Sequence, residues 1–292
     1  MAVDILPWLL RGHDREEYAG LGSRDGSGLV SELVSVLVYV VVLVACRRVF
    51  NRITSRGVHS SERDKVLEEV WTLLGNIGTL ALAMHVMLRH NSGCWFGDTN
   101  ECLIGWPHHD VDSTVLMYYK IEFAWYIHLL LKTPLGYGEP DGKDMMMHHI
   151  ATLSLLVVSK ACNLTRAGVL VLTLFSVSNP FLHAAKICNQ VMPSIRVAMF
   201  SLFSLLFLLT RVIMVPPVIL RLSMYQSMLR IPYAVEDFYV TFLLINALLV
   251  LLYLMQLKWM WAILRVLTKS ATQGAEAAGR LSTSLDPSKR FT

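Results

Sequence analysis

The chain has 292 residues, of which 54% are apolar and 16% charged, and its formal net charge is +4. A soluble domain carries about 25% charged residues, so this chain lacks the polar surface of a water-soluble enzyme, and it is too apolar for a disordered protein. In a polytopic membrane protein the basic excess reports which loops face the cytosol, not an affinity for nucleic acid.

Crossing a hydrocarbon core of ~30 Å takes ~20 mostly apolar helical residues. Seven such stretches occur, over residues 29–46, 70–88, 115–131, 145–162, 169–188, 197–220 and 238–264. They predict an all-α polytopic membrane protein with about seven transmembrane helices. The first stretch lies too far from the N-terminus for a signal peptide and lacks its flanking pattern, so it reads as a retained anchor. Pro180 predicts a kink in the fifth span, and Pro216–Pro217 predict that the sixth kinks or stops. The ends of the chain are polar, contain Gly and Ser, and are expected to be mobile.

Lys and Arg set the orientation. Arg47, Arg48, Arg52, Arg56, Arg63 and Lys65 follow the first span, and the C-terminal segment is basic again. The loop after the second span holds only Arg89 among Asp98, Glu101, Asp110 and Asp112. A lumenal N-terminus and a cytosolic C-terminus are expected. The chain then divides into a lumenal segment (1–28), an anchor with its basic loop (29–61), a six-span unit (62–266) and a cytosolic tail (267–292). Cys94 and Cys102 fall in the lumenal loop, where either a disulfide or two free thiols fit the spacing. The Asn163 sequon lies hard against the membrane and reads as chance.

Polar residues inside spans are costly, and by default they are functional. Ser176, Asn179, His183, Lys186 and Gln190 recur at steps of three and four along one helical face. His148, Thr152, Ser159 and Asn163 form a second face, and Tyr119, Glu122 and Tyr126 a third. Arg211 lies inside the sixth span. These groups should point together into a polar cavity, unless Ser, Thr and Asn serve only as interhelical glue and Glu122 simply pairs with Arg211. His148 and His149 are the sharpest feature, because imidazole titrates near neutral pH and suits a general base. Asp144, four residues earlier, would stack on His148 and orient it. The histidine spacings supply no converging metal ligands, so no metal site is expected.

Several segments now form an ordered series. They are KVLEEVW from Lys65 to Trp71, GWP from Gly105 to Pro107 and YYKIEFAWY from Tyr118 to Tyr126. His148–His149 with Thr152, NLTRAG from Asn163 to Gly168, Ala184 to Lys186 with Asn189, and Thr210–Arg211 with Pro216 complete it. Over some 200 residues this series resembles the TLC-domain family, and within it the ceramide synthases. The resemblance implies an endoplasmic-reticulum enzyme that joins a fatty acyl group from acyl-CoA to the amine of a sphingoid base. It implies that the last six spans surround a central lipid-binding cavity, with the histidine pair catalytic. Acyl-CoA would be a co-substrate, with no further cofactor. The partners implied are acyl-CoA, the sphingoid base and the bilayer, with homo- or hetero-oligomers compatible.

The fifth span departs from the family. Ceramide synthases carry acidic residues there, where this chain has Ser176 and Asn179, and His183 stands at a family glutamate. Neither Ser176 nor Asn179 can hold a negative charge, so Glu122, Asp144 or His183 would have to support the histidines. Lys132 and Lys143 either meet the CoA phosphates at the cytosolic mouth or, the more ordinary role, are solvated juxtamembrane residues. The alternative is a non-catalytic TLC-domain protein that binds or senses lipid or assists membrane protein traffic.

Overall fold

The computed structural model describes residues 26–54, 61–230 and 236–273. The segment 1–25 and the tail beyond 273, with its predicted mobility, lie outside the described residues. Helix α1 spans Gly26–Thr54, α2 Ser61–Arg89, α3 Ser113–Leu131 and α4 Lys143–Ala161. Helix α5 spans Thr165–Ser176, α6 Asn179–Val191 and α7 Arg196–Phe207. The chain then winds as wider π-helix over Leu208–Ile213 and Val215–Gln226. A short turn α8, Ser227–Arg230, and a long α9, Glu236–Gln273, complete the order.

Among the described residues, five helical segments are long and apolar enough to cross a membrane. They are α1, α2, α5 with α6, the segment from α7 through the π-helical turns, and α9. Helices α3 and α4 have 19 residues each, which at 1.5 Å per residue gives about 28 Å. Glu122 lies in α3, and His148 and His149 lie in α4. All seven predicted stretches are thus helical, and five of them have the length and apolarity of a membrane span.

Contacts run from α2 to α3, α3 to α4, α4 to α9, α9 to the π-helical segment and α7, α7 to α6, and α6 back to α2. Six passes thus close a ring, and α1 packs outside it against α3 and α2. Much of the apolar surface of α1, including Leu33, Leu37 and Val41, stays exposed, as lipid contact permits. Polar groups fix α1 to the ring: Arg47 bonds Glu68 and the Tyr137 carbonyl, and Lys160 Nζ lies 2.6 Å from Glu32 Oε2.

The two prolines act differently. At Pro180 the fifth pass breaks over Val177–Ser178, and the chain restarts as α6 with Pro180 in its first turn, where its missing N–H costs nothing. The sixth pass does not stop at Pro216–Pro217. It continues in a wider helix that absorbs both residues, because the looser winding relieves the clash of each ring with the preceding turn. The last helix runs to Gln273, beyond the predicted boundary at 264.

One end of the bundle is closed by residues 90–112, where Cys94 and Cys102 form a disulfide. Thr99 Oγ1 donates to Gln226 Oε1 at 2.8 Å, which pins this loop to the sixth pass. Asn163 donates to the carbonyls of Pro107 and His109 at 2.7 and 3.0 Å. Its amide nitrogen thus ties the turn after α4 to this loop.

Candidate active site

The ring encloses two adjoining spaces. The larger, about 1450 Å³, opens at the end opposite the disulfide. Its wall carries the whole polar face of the fifth pass, Ser176, Asn179, His183, Lys186 and Gln190, together with Glu122, Arg211 and both histidines. The smaller, about 100 Å³, runs toward the disulfide end and is lined mainly by Leu, Ile, Val and Phe. His148 and Tyr126 line both. The predicted convergence of three helix faces is therefore present.

The histidine pair has two environments. His148 is buried with its ring 5.4 Å from the Trp259 ring, edge-on, and 5.8 Å from His149. His149 faces Tyr126 at 5.5 Å, and its Nε2 lies 3.6 Å from Asp141 Oδ2. The Nδ1 atoms of both rings have no protein partner. Adjacent helical residues point about 100° apart, so one imidazole meets the apolar pocket and the other the charged mouth.

Asp144 does not orient His148. It lies at the second position of α4, and its carboxylate reaches Lys258 Nζ of α9 at 2.7 Å. Side chains on a helix lean toward its N-terminus, so Asp144 leans to the rim and away from His148. The carboxylate beside the pair is Asp141, one residue before the Gly142 N-cap. Burial alone would raise its carboxyl, but contact with His149 and the Lys132 ammonium at 2.7 Å outweighs this and holds it below the usual range.

Glu122 and Arg211 do not pair. Glu122 is 2% exposed and its Oε1 has no partner. Arg211 sits on the π-helical turn and donates to Gln256 Oε1 at 3.0 Å, to Asn179 Oδ1 and to the Phe175 carbonyl. The break at Val177–Ser178 leaves that carbonyl available to it. Phe207 and Phe175 rings flank the guanidinium at 5.0 and 5.7 Å. Three neutral acceptors and two aromatic faces thus hold a buried cation.

His183 meets a carboxylate that the sequence reading passed over. Its Nδ1 lies 2.6 Å from Glu69 Oε2, and Lys186 Nζ lies 2.9 Å from Glu69 Oε1. Glu69 comes from α2 and lines the same cavity. Its neighbour Glu68 turns the other way, to Arg47 and to Lys132 at 3.7 Å. Lys132 is therefore engaged by Asp141 and Glu68, while Arg63, Lys65 and Arg196 line the mouth and Lys143 does not. Glu69 lies within the KVLEEVW segment, but nothing in that segment identifies its partners, which lie more than 100 residues away.

A six-pass ring with a buried histidine pair at the junction of a polar cavity and an apolar pocket defines a class of membrane protein. The TLC-domain family model matches residues 65–265, and the chain belongs to that family. Ceramide synthase hyl-1 of Caenorhabditis elegans is 29% identical over 246 residues, covering 80% of this chain and 64% of that protein. Human ceramide synthase 4 is 30% identical over 212 residues, covering 72% of this chain and 52% of the relative. Human ceramide synthase 5 is 29% identical over 184 residues, covering 63% and 46%. The chain thus spans about half to two-thirds of the length of these relatives. Its described helices and its family make it a multi-pass membrane protein of the TLC-domain family, similar in sequence to ceramide synthases.

Proposed function

We propose that the protein is a sphingoid-base N-acyltransferase that uses acyl-CoA. The observation that carries this reading is the place of His148, lining both the polar cavity and the apolar pocket. A thioester whose carbonyl stands at that junction has its CoA portion in the wide, polar space and its hydrocarbon in the narrow one. The amine nitrogen attacks the carbonyl carbon, the N–C bond forms and the C–S bond breaks. His148 or His149 takes the proton from nitrogen and returns it to the departing sulfur, leaving amide and free CoA. The same imidazole can instead accept the acyl group first and pass it to the amine. Arg63, Lys65 and Arg196 at the mouth suit the CoA phosphates. Asp141 positions His149, and Glu69 with His183 supplies the charge absent at Ser176 and Asn179.

The orientation follows from the charges. The disulfide suits an oxidising lumen and the basic mouth suits the cytosol, which supports a place in the endoplasmic-reticulum membrane. The N-terminus is then lumenal and the C-terminus cytosolic. Homo- or hetero-oligomers fit this arrangement.

One observation favours a second reading, a non-catalytic lipid-binding TLC protein. Asn179 spends its oxygen on Arg211, so no carboxylate stands at the family's acidic positions. Expression in cells lacking their own ceramide synthases separates the two. The acyltransferase reading expects labelled sphingoid base to be N-acylated by the wild-type chain and not by His148→Ala. Equal protein levels with no product from the wild type support the lipid-binding reading.

A further inference from the structure

The apolar pocket carries polar groups at the end far from the histidines. Its walls near His148 include Leu155, Phe175 and Leu252, but toward the disulfide end they include Ser223, Ser227 and Asn246. Asn246 is 8% exposed. Its Nδ2 donates to the Phe242 carbonyl at 2.8 Å and to the Ser223 carbonyl at 3.4 Å. Those two acceptors fix the amide's orientation, so Oδ1 is the atom left over. Both Asn246 Oδ1 and Ser223 Oγ are buried with no protein partner. The Asn246–Ser223 contact puts the two in one corner of the pocket.

Unpartnered polar atoms at this depth are expensive, because lipid offers them nothing. A plain hydrocarbon end lying there would leave both unsatisfied. A hydroxyl has the complementary pattern: its O–H donates to Asn246 Oδ1, and its oxygen accepts from the Ser223 hydroxyl. Asn246 and Trp259 are thirteen residues apart on α9, about 20 Å at 1.5 Å per residue, and Trp259 stands beside His148. That separation suits a long alkyl chain with its reactive carbonyl at one end and its polar group at the other.

We infer that the pocket selects a long acyl chain bearing a hydroxyl at or near its far end, held by Asn246 and Ser223. The inference deepens the acyltransferase reading by naming the substrate class of the same site. The experiment uses the purified full chain in lipid nanodiscs and displacement of a fluorescent fatty acid. The competitors are long-chain fatty acids and their ω-hydroxy counterparts over a series of lengths. At one length or more, the wild type should bind the ω-hydroxy acid about tenfold more tightly, as one to two net hydrogen bonds allow. Asn246→Leu should abolish that preference or turn it toward the methyl-ended acid. Should that variant not fold, Ser223→Ala is expected to reduce the preference. Equal binding, or tighter binding of the methyl-ended acid at every length by the wild type, overturns the inference and means that water satisfies the corner. N-acylation measured on the same preparations keeps the two readings apart. Product without hydroxyl preference removes the inference and leaves acyl transfer standing. Hydroxyl preference without product supports the pocket assignment and removes acyl transfer.

Discussion

His183 Nδ1 lies 2.6 Å from Glu69 Oε2, joining α6 to α2 across the mouth of the large cavity. The carboxylate that the fifth pass lacks at positions 176 and 179 is thus brought in from a neighbouring helix. Glu69→Gln should keep the fold and lower the turnover of N-acylation by about tenfold or more, below the full ~10²–10⁴-fold of a lost base. Glu69→Asp should recover part of the loss. Steady-state kinetics with a pH profile checks this, because a merely structural contact would change protein yield and leave the profile in place.

Arg211 is a buried cation met by neutral oxygens from Gln256, Asn179 and Phe175. Asn179→Asp provides a countercharge at a contact already formed. Hydrogen bonds between charged groups are worth more than neutral ones, so thermal stability should rise by about 1–2 kcal/mol. Arg211→Met should instead leave those acceptors unpaired and lower stability by about 1–3 kcal/mol. Thermal unfolding of the purified variants gives both signs.

The loop at the disulfide end carries a pH dependence. The His109 imidazole is pushed down to about 4, chiefly by burial and then by the nearby Arg166 guanidinium. Both of its ring nitrogens lack a protein partner. An unfolded histidine binds its proton below about 6.5, while the folded one does so only below about 4. Between those values the unfolded state holds more protons, so stability falls as pH drops from about 6.5 to about 4 and levels off below. His109→Asn should flatten this part of the curve of Tm against pH, measured side by side with the wild type.

Gly168 allows Tyr119 to enter the wall of the apolar pocket. A Cβ at this position would lie 1.6 Å from the Tyr119 hydroxyl. That hydroxyl is already tied to Ser159 Oγ and the Thr165 carbonyl, both at 3.2 Å. Gly168→Ala should therefore displace the ring and cost about 1–3 kcal/mol, as overpacked cores do. The same variant made with Tyr119→Phe should lose less, which a thermal double-mutant cycle reads directly.

Hydropathy made the seven helical stretches legible, and helical spacing made the polar faces legible, because both depend on neighbours within one helix. Ser176, Asn179, His183 and Lys186 line the cavity as their three- and four-residue steps required. What spacing could not provide was the partner across the bundle. Asp144 matched His148 by spacing, yet Lys258 from α9 captures it and Asp141 serves His149 instead. The alternative of a Glu122–Arg211 pair is absent for the same reason, since Gln256 and Asn179 hold the guanidinium. His128 gave no signal at all. It is a buried joint between Trp71 Nε1 at 3.1 Å and the Tyr137 hydroxyl at 3.1 Å, a histidine used for packing and not for chemistry.

The central claim is that His148, at the junction of the two spaces, takes part in acyl transfer. The most direct measurement incubates the purified chain in nanodiscs with a long-chain acyl-CoA and a sphingoid base, and quantifies amide and free CoA by mass spectrometry. Equal amounts of amide and CoA are expected from the wild type, with a fall of about 10²-fold or more for His148→Ala. Wild-type turnover that His148→Ala retains would contradict it.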